Sequence, residues 1–123
     1  MELAQFERIA EEVFETLPEG FKAKIENLQI VIEELPGVEQ LRSVGVKSQF
    51  SLLGLYQGIP LKYRNTGYGT FPTVPDTITL FKRNIESVVG HESDIRAKIR
   101  EVLIHEIAHY FGMTEDEIRQ AGY

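Results

Sequence analysis

Hydrophobic residues recur at every third or fourth position near the beginning of the chain, which is the spacing of one face of an α-helix. The run from Leu3 to Leu17 follows this spacing, and Pro18 and Gly20 come directly after it. Because proline and glycine both interrupt helices, the pattern predicts an amphipathic helix over residues 3–17. Glutamates occupy much of its other face, which we therefore expect to be in contact with solvent.

Three later segments have the apolar patterns of β-strands. The first, residues 26–34, alternates leucine and isoleucine with other residues and ends at Pro36-Gly37. The other two are FSLLGLYQ, residues 50–57, and DTITLFK, residues 76–82. We predict one strand for each segment.

A segment rich in glycine and proline, residues 58–75, separates the second and third predicted strands. A loop of this length within a compact domain is usually functional or mobile. Tyr63 and Tyr68 in this loop are candidates for contacting a ligand, the alternative being ordinary surface tyrosines.

The most hydrophobic helical stretch lies near the C-terminal end. Residues 93–111 have helical periodicity, with Ser93 as the expected N-cap and Gly112 directly after the helix. The second half, VLIHEIAHYF, is apolar on nearly every face, so it should run through the middle of the domain.

A capping-box pair, Thr114 and Glu117, predicts a short final helix over residues 115–121. Together these elements predict an α+β fold, in which a small mixed sheet packs on a central helix. A length of 123 residues suits a single domain spanning residues 1–123, and 42% hydrophobic residues is ordinary for a globular chain.

The chain contains no cysteine, which excludes a disulfide framework and a thiolate metal site. Any metal would therefore be held by imidazole and carboxylate groups. The formal net charge is −6, from 19 acidic and 13 basic residues. This sign disfavours a nucleic-acid partner, because affinity for phosphate comes from lysine and arginine. A small group of basic residues is interpreted as scattered solvated charge: Lys62, Arg64, Lys82 and Arg83.

The beginning of the chain, MELAQFERIAEEVFETL, lacks the basic segment and the unbroken apolar segment of a secretory signal. No apolar run approaches the roughly 20 residues that cross a bilayer. We therefore predict a cytoplasmic protein with no membrane partner. The sequence does not determine its oligomeric state.

The apolar half of the long predicted helix contains the pattern His105-Glu106-x-x-His109. Residues four positions apart lie on one face of a helix, so two imidazoles in this pattern reach one metal ion. Glu106 points about 100° away around the helix, which places it near a water on the metal rather than on the metal itself. Zinc lowers the pKa of its water towards 7, and Glu106 would take the proton as general base.

Three polar side chains in such an apolar helix need partners, because burying them without any is strongly unfavourable. A bound metal provides these partners. The alternative is a pair of core histidines hydrogen-bonded to a glutamate without any metal.

The string HEIAHYFGMTE, residues 105–115, resembles the motif of small bacterial zincin-like metallopeptidases with a matrix-metalloprotease-like core, H-E-x-x-H-x-x-G-x-x-D. The segments LLGLYQGIPL at 52–61 and ITLFKR at 78–83 resemble the same family more weakly. The resemblance implies a zincin-like fold and a zinc peptidase activity. It also implies that TITLFKR, residues 77–83, is an edge strand on which the substrate backbone is bound as an added strand.

For individual residues, the resemblance implies that His105 and His109 bind zinc, that Glu106 is the catalytic base, and that the chain turns at Gly112. It further implies a third ligand at position 115, where this chain has Glu115 instead of the family's aspartate.

The additional methylene of Glu115 moves its carboxylate outward by about 1.5 Å. Asp116, the next residue, is therefore an alternative ligand. Glu115 would otherwise be a charge near a helix N-terminus, stabilised by the helix dipole. His91 is a more remote candidate, for which a solvent-facing position is the ordinary interpretation.

The sequence leaves three functions open. The favoured one is a zinc peptidase that binds one zinc ion per chain and acts on a peptide or protein substrate. The second is a metal-binding or protein-binding module with little turnover, and the intact Glu106 argues against it. The third is another zinc hydrolase, such as the small RNA-processing metalloproteins with H-G-x-x-H and a further histidine, which the acidic charge disfavours. The native metal could also be another divalent ion, because supply decides occupancy as much as affinity.

Overall fold

The computed structural model describes residues 1–58 and 76–122. Its first element is helix α1 (Leu3–Glu15), which buries Phe6, Ala10 and Val13 along one face. The amphipathic helix predicted there is thus confirmed, and Pro18 begins the short helix α2 (Glu19–Lys22) as its N-cap.

Three strands form one mixed sheet: β1 (Leu28–Glu33), β2 (Gly54–Gln57) and β3 (Asp76–Phe81). Their order is β1-β3-β2, with β1 parallel and β2 antiparallel to β3. Helix α3 (Val38–Ser43) lies between β1 and β2 along the chain. The small mixed sheet and the surrounding helices confirm the predicted α+β class.

The prediction that residues 77–83 form an edge strand is wrong. Strand β3 pairs with a neighbour on each side, so its backbone groups are not open to an added strand. In the described part of the sheet the edges are β1 and β2. A strand's place in a sheet depends on long-range pairing, which the local pattern of residues 77–83 does not contain.

The strand predicted over residues 50–57 is shorter and begins at Gly54. The side-chain amide of Asn84 donates hydrogen bonds to the carbonyl oxygens of Gln49 (2.6 Å) and Leu52 (2.7 Å). These carbonyls are therefore bonded to a side chain instead of to a neighbouring strand.

Helix α4 (Lys82–Ser87) follows β3 directly, so Lys82 belongs to a helix and not to the predicted strand. Lys82 is buried and lies 3.0 Å from a carboxylate oxygen of Glu86, while Arg83 lies 3.4 Å from one of Glu34. These two members of the small basic group are thus paired with acidic residues. The other two, Lys62 and Arg64, lie outside the described residues, as does the loop with Tyr63 and Tyr68.

Helix α5 (Ile95–Tyr110) follows a 3₁₀ turn at Glu92–Asp94. Ser93 lies within this turn and is not the N-cap that we predicted, because the chain is already wound before the α-helix begins. The second half of α5 is central as predicted, and it contacts α1, β2 and β3. Its buried residues include Val102, Leu103, Glu106, Ile107, Ala108 and Tyr110.

No helix among residues 1–58 and 76–122 is long and apolar enough to cross a membrane.

Candidate metal centre

Helix α5 places His105 and His109 one turn apart on the same face. Their ring centroids are 5.2 Å apart, and the ring planes are inclined by 72°. Both side chains are partly exposed, which leaves their ring nitrogens accessible from one side of the helix. The shared face predicted from the i, i+4 spacing is present.

The chain reverses direction immediately after α5, at Gly112. Its backbone has a φ of 96°, a left-handed conformation that favours glycine. The N–H of Gly112 donates to the carbonyl of His109 (2.8 Å), and the N–H of Met113 donates to that of Ala108 (3.0 Å). These two bonds form a Schellman motif, which closes the helix and sends the chain back towards the two histidines.

A capping box then begins the last helix, α6 (Glu115–Gln120). The Thr114 hydroxyl accepts from the N–H of Glu117 (3.2 Å), and the Glu117 carboxylate accepts from the N–H of Thr114 (2.9 Å). Because both bonds fix the first turn, the position of Glu115 relative to α5 is set by local interactions.

The three side chains converge on one point. Oε1 of Glu115 lies 3.0 Å from Nε2 of His105 and 2.7 Å from Nε2 of His109. These three residues could hold a metal ion, since one ligand atom from each lies within 4.8 Å of the others. Among the described residues, neither Asp116 nor His91 belongs to this group.

A hydrogen bond on the far side of the ring orients His109. Its Nδ1 lies 3.1 Å from the carbonyl oxygen of Met113, and a carbonyl only accepts, so Nδ1 carries the proton. Nε2, the other ring nitrogen, then faces the Glu115 carboxylate at 2.7 Å, which is a hydrogen-bond distance. When protonated, Nε2 donates to Oε1 of Glu115, and when neutral, it presents the lone pair that binds a metal ion. Two imidazole nitrogens and a carboxylate oxygen are a donor set that suits zinc.

Glu115 is ionised in this arrangement. Partial burial raises the pKa of its carboxyl group, but the hydrogen bonds from His105 and His109 lower it by more, so the net pKa is below the usual value. An ionised carboxylate is the form that binds a metal ion.

Glu106 has a different environment on the buried side of α5, where its exposed fraction is 8%. Its Oε1 accepts a hydrogen bond from the backbone N–H of Tyr56 in β2 (2.9 Å). Burial raises the pKa of Glu106, although the nearby His109 and His105 and the bond from Tyr56 partly lower it. Glu106 is not in the group of ligand atoms that could hold a metal. A raised pKa suits a group that must accept a proton and later release it.

A cavity of about 680 Å³ opens beside the three converging side chains, and Glu106 also lines it. Sequence reasoning missed the apolar half of its wall, whose residues come from segments far apart in the chain. The only sequence signal for this apolar wall was the weak resemblance of LLGLYQGIPL, residues 52–61, to the zincin-like family. The apolar lining includes Val44, Val46, Leu52, Leu53 and Val102.

The chain is similar to known proteins in both sequence and structure. Residues 25–123 match the model of the family described as zincin-like metallopeptidase. Among solved structures, the chain is similar to a conserved hypothetical protein from Thermo thermophilus, with 26% identity and a TM-score of 0.55. That similarity covers 89% of this chain and 92% of the other. No curated protein matches the chain.

Proposed function

This chain belongs to the family of zincin-like metallopeptidases, and we propose that it is a zinc-dependent peptidase with Glu106 as general base. One observation carries this proposal. Two imidazole nitrogens and an ionised carboxylate oxygen converge on one point, and a buried glutamate with a raised pKa lines the same cavity. A site that only held a metal would not need that glutamate.

In this proposal His105, His109 and Glu115 hold the metal. When bound there, zinc supplies a Lewis acid that polarises the peptide carbonyl and lowers the pKa of a water towards 7. The Met113 carbonyl supports the ligand geometry, because its bond to Nδ1 of His109 keeps Nε2 directed at the centre.

Glu106 takes the proton from the attacking water and transfers it to the leaving amine as the peptide bond breaks. Its location explains how one residue serves both steps. The bond from Tyr56 occupies Oε1, and the described residues provide no hydrogen bond to Oε2. Oε2 is therefore the oxygen that exchanges the proton.

The substrate is a peptide that lies along β2, whose residues Gly54 to Tyr56 line the cavity. The apolar part of the cavity wall receives one side chain of that peptide. We expect a preference for a leucine or phenylalanine over an aspartate or lysine at this position, because a charge would be desolvated there without a partner. Cleavage of matched peptide sets measures this preference.

The decisive experiment is the substitution Glu106→Gln, which keeps the size of the side chain and removes the proton acceptor. With a diverse peptide library at neutral pH, we expect kcat to fall at least ~10²-fold while zinc content stays at the parent level. Glu39→Gln is the control, because Glu39 is exposed and is not among the residues that line the cavity. The control should retain activity within about 3-fold.

Two results would contradict the proposal. If Glu106→Gln loses its zinc, Glu106 is a ligand and the division of roles is wrong. If the parent and Glu106→Gln both bind zinc and are equally inactive across the library, a metal-dependent binding module becomes the better description.

A further inference from the structure

Strand β2 approaches α5 unusually closely at Gly54. A Cβ atom built at Gly54 would lie 2.6 Å from Cγ1 of Val102 and 3.2 Å from Cγ of Glu106. Real Cβ atoms essentially never have a neighbour within 3.0 Å, so any residue other than glycine would require Val102, β2 or α5 to shift. The φ of Gly54 is ordinary, and space rather than backbone conformation is what requires glycine here.

The close approach at Gly54 brings the backbone N–H of Tyr56 within hydrogen-bond distance of α5. Residues two positions apart in a strand direct their backbone groups to the same side, so Tyr56 faces α5 at the edge where Gly54 touches it. The Tyr56 N–H donates to Oε1 of Glu106 over 2.9 Å, between residues 50 positions apart in the chain. The acceptor is thus on the helix and not on β3.

The side chain of Tyr56 makes further contacts with both α5 and β3. Its hydroxyl donates to Oδ2 of Asp76 (2.7 Å), and its ring meets that of Tyr110 edge to face with centroids 5.9 Å apart. Tyr110 in turn donates from its hydroxyl to the carbonyl of Glu26 (2.9 Å). The amide that contacts Glu106 therefore belongs to a well-packed part of the fold.

We propose that Gly54 and the backbone amide of Tyr56 are positioning elements for the general base: Gly54 lets β2 reach α5, and the Tyr56 N–H fixes the Glu106 carboxylate by Oε1. The inference rests on the proposed function, because Glu106 needs positioning only if it transfers a proton.

A glutamate has three side-chain torsions, and a freely rotating carboxylate would spend much of its time away from the attacking water. Fixing one oxygen leaves the other at a defined place, and small displacements of catalytic groups reduce rates strongly. The bond from Tyr56 also favours the ionised form of Glu106 against the effect of burial, which agrees with this role.

The first test is Gly54→Ala in the zinc-loaded protein. The added methyl should displace β2 from α5, so we expect kcat to fall about 10-fold or more while zinc affinity stays within about 3-fold. Gly90→Ala is the control, because a Cβ at Gly90 would meet nothing within 4 Å and its φ is ordinary. The control should have parental kcat. An unchanged kcat in folded Gly54→Ala would overturn the inference.

A second variant keeps the inference testable if Gly54→Ala fails to fold. Replacing the amide at Tyr56 by an ester, through chemical ligation, removes only the N–H and keeps the side chain. We expect a loss of kcat of about 10-fold or more with zinc retained, and equal activity of the ester and the parent would overturn the inference.

A third measurement does not depend on activity. We expect hydrogen exchange at the Tyr56 amide to accelerate at least about 10-fold in Glu106→Ala, where the acceptor is absent, and to change little in Glu106→Gln, which still offers an oxygen. Amides of Leu55 and Gln57 serve as internal references. Unchanged exchange at Tyr56 in Glu106→Ala would overturn the inference. An inactive parent with the expected exchange pattern would instead contradict the proposed function and leave the contact established.

Discussion

The two carboxylates of the site lie in regions that are built in opposite ways. Glu106 is 8% exposed and lies where α5 packs on β2, a region that we call the wall (Gly54, Tyr56, Val102 and Glu106). The Glu115 side chain is 55% exposed and lies just after α5, in a region that we call the rim (Gly112 to Glu117). Burial raises the pKa of Glu106, while hydrogen bonds from two histidines lower that of Glu115 despite partial burial. The same type of side chain is thus suited to accepting a proton in one place and to binding a metal ion in the other.

This contrast indicates a division of work within the site. Short-range interactions determine the structure of the rim: the last turn of α5, the chain reversal at Gly112 and the capping box of α6 lie within a few residues of each other. The wall requires a contact between Tyr56 and Glu106 across 50 positions of sequence. Metal binding should therefore depend mainly on the rim and the two histidines, and turnover mainly on the wall.

The largest expected effect is on metal content. We expect about one zinc per chain in protein purified without chelator, and almost none in the double variant His105→Ala/His109→Ala, because Glu115 alone is a weak site. Chelator should lower the Tm of the parent, since the folded state loses a bound ligand, and leave that of the double variant unchanged. His91→Ala, outside the group, is the control and should keep its zinc. Equal zinc in the parent and the double variant would rule out this centre.

The second-largest expected effect distinguishes Glu115 from Asp116 as the third metal ligand. Glu115→Gln should weaken zinc affinity about 10-fold or more, because a neutral amide is a poorer ligand than a carboxylate. Asp116→Asn is the matched control, one position away and outside the converging group, and its affinity should equal that of the parent. Zinc titration against a competing chelator measures both. If Asp116→Asn releases the metal and Glu115→Gln does not, the third ligand is assigned one position too early.

The smallest effect concerns stability and pH in the metal-free protein. The pKa of Glu106 in the folded state is raised above the ordinary value of 4.5, so the folded state binds protons more tightly than the unfolded state does. The protonated Glu106 therefore contributes stability below pH 4.5. This contribution is lost as the pH rises from 4.5 through the pKa of the folded state. The pKa of Glu115 is lowered, so its contribution is present above 4.5 and is lost as the pH falls through the folded pKa.

The two glutamine variants should therefore have opposite effects on Tm in the presence of chelator. Near pH 7, Glu106→Gln should raise the midpoint relative to the parent, and Glu115→Gln should lower it. The difference for Glu106→Gln should shrink as the pH falls towards 4.5, whereas the difference for Glu115→Gln should shrink only at lower pH, as the pH passes the lowered pKa of Glu115. Thermal scans over this pH range measure both differences, and a change of the same sign in both variants near pH 7 would contradict the contrast between wall and rim.

The elements that sequence reasoning predicted correctly all depend on neighbouring residues. The periodicity of α1 and α5, the reversal at Gly112 and the capping box at Thr114 each arise from interactions over three to five positions. The one-turn spacing of His105 and His109 is equally local, and it carried the prediction of a metal site.

Short elements and boundaries were less predictable. Helices α2, α3 and α4 span four to six residues each, too few for periodicity to distinguish them from loops. The start of α5 was placed at Ser93 because serine is a good N-cap, but the structure winds a 3₁₀ turn there and begins the α-helix at Ile95.

The order of residues along the chain was therefore enough to predict the three candidate ligands and the local geometry that brings Glu115 back to α5. Three further features became visible only in the folded chain: β3 is the central strand, β2 lies against α5, and the Tyr56 amide donates a hydrogen bond to Glu106. The two groups of features differ in the range of the interactions that fix them. Helix turns and caps are fixed by hydrogen bonds within one or two turns, whereas strand order and the approach of Gly54 to Val102 depend on the packing of the whole core.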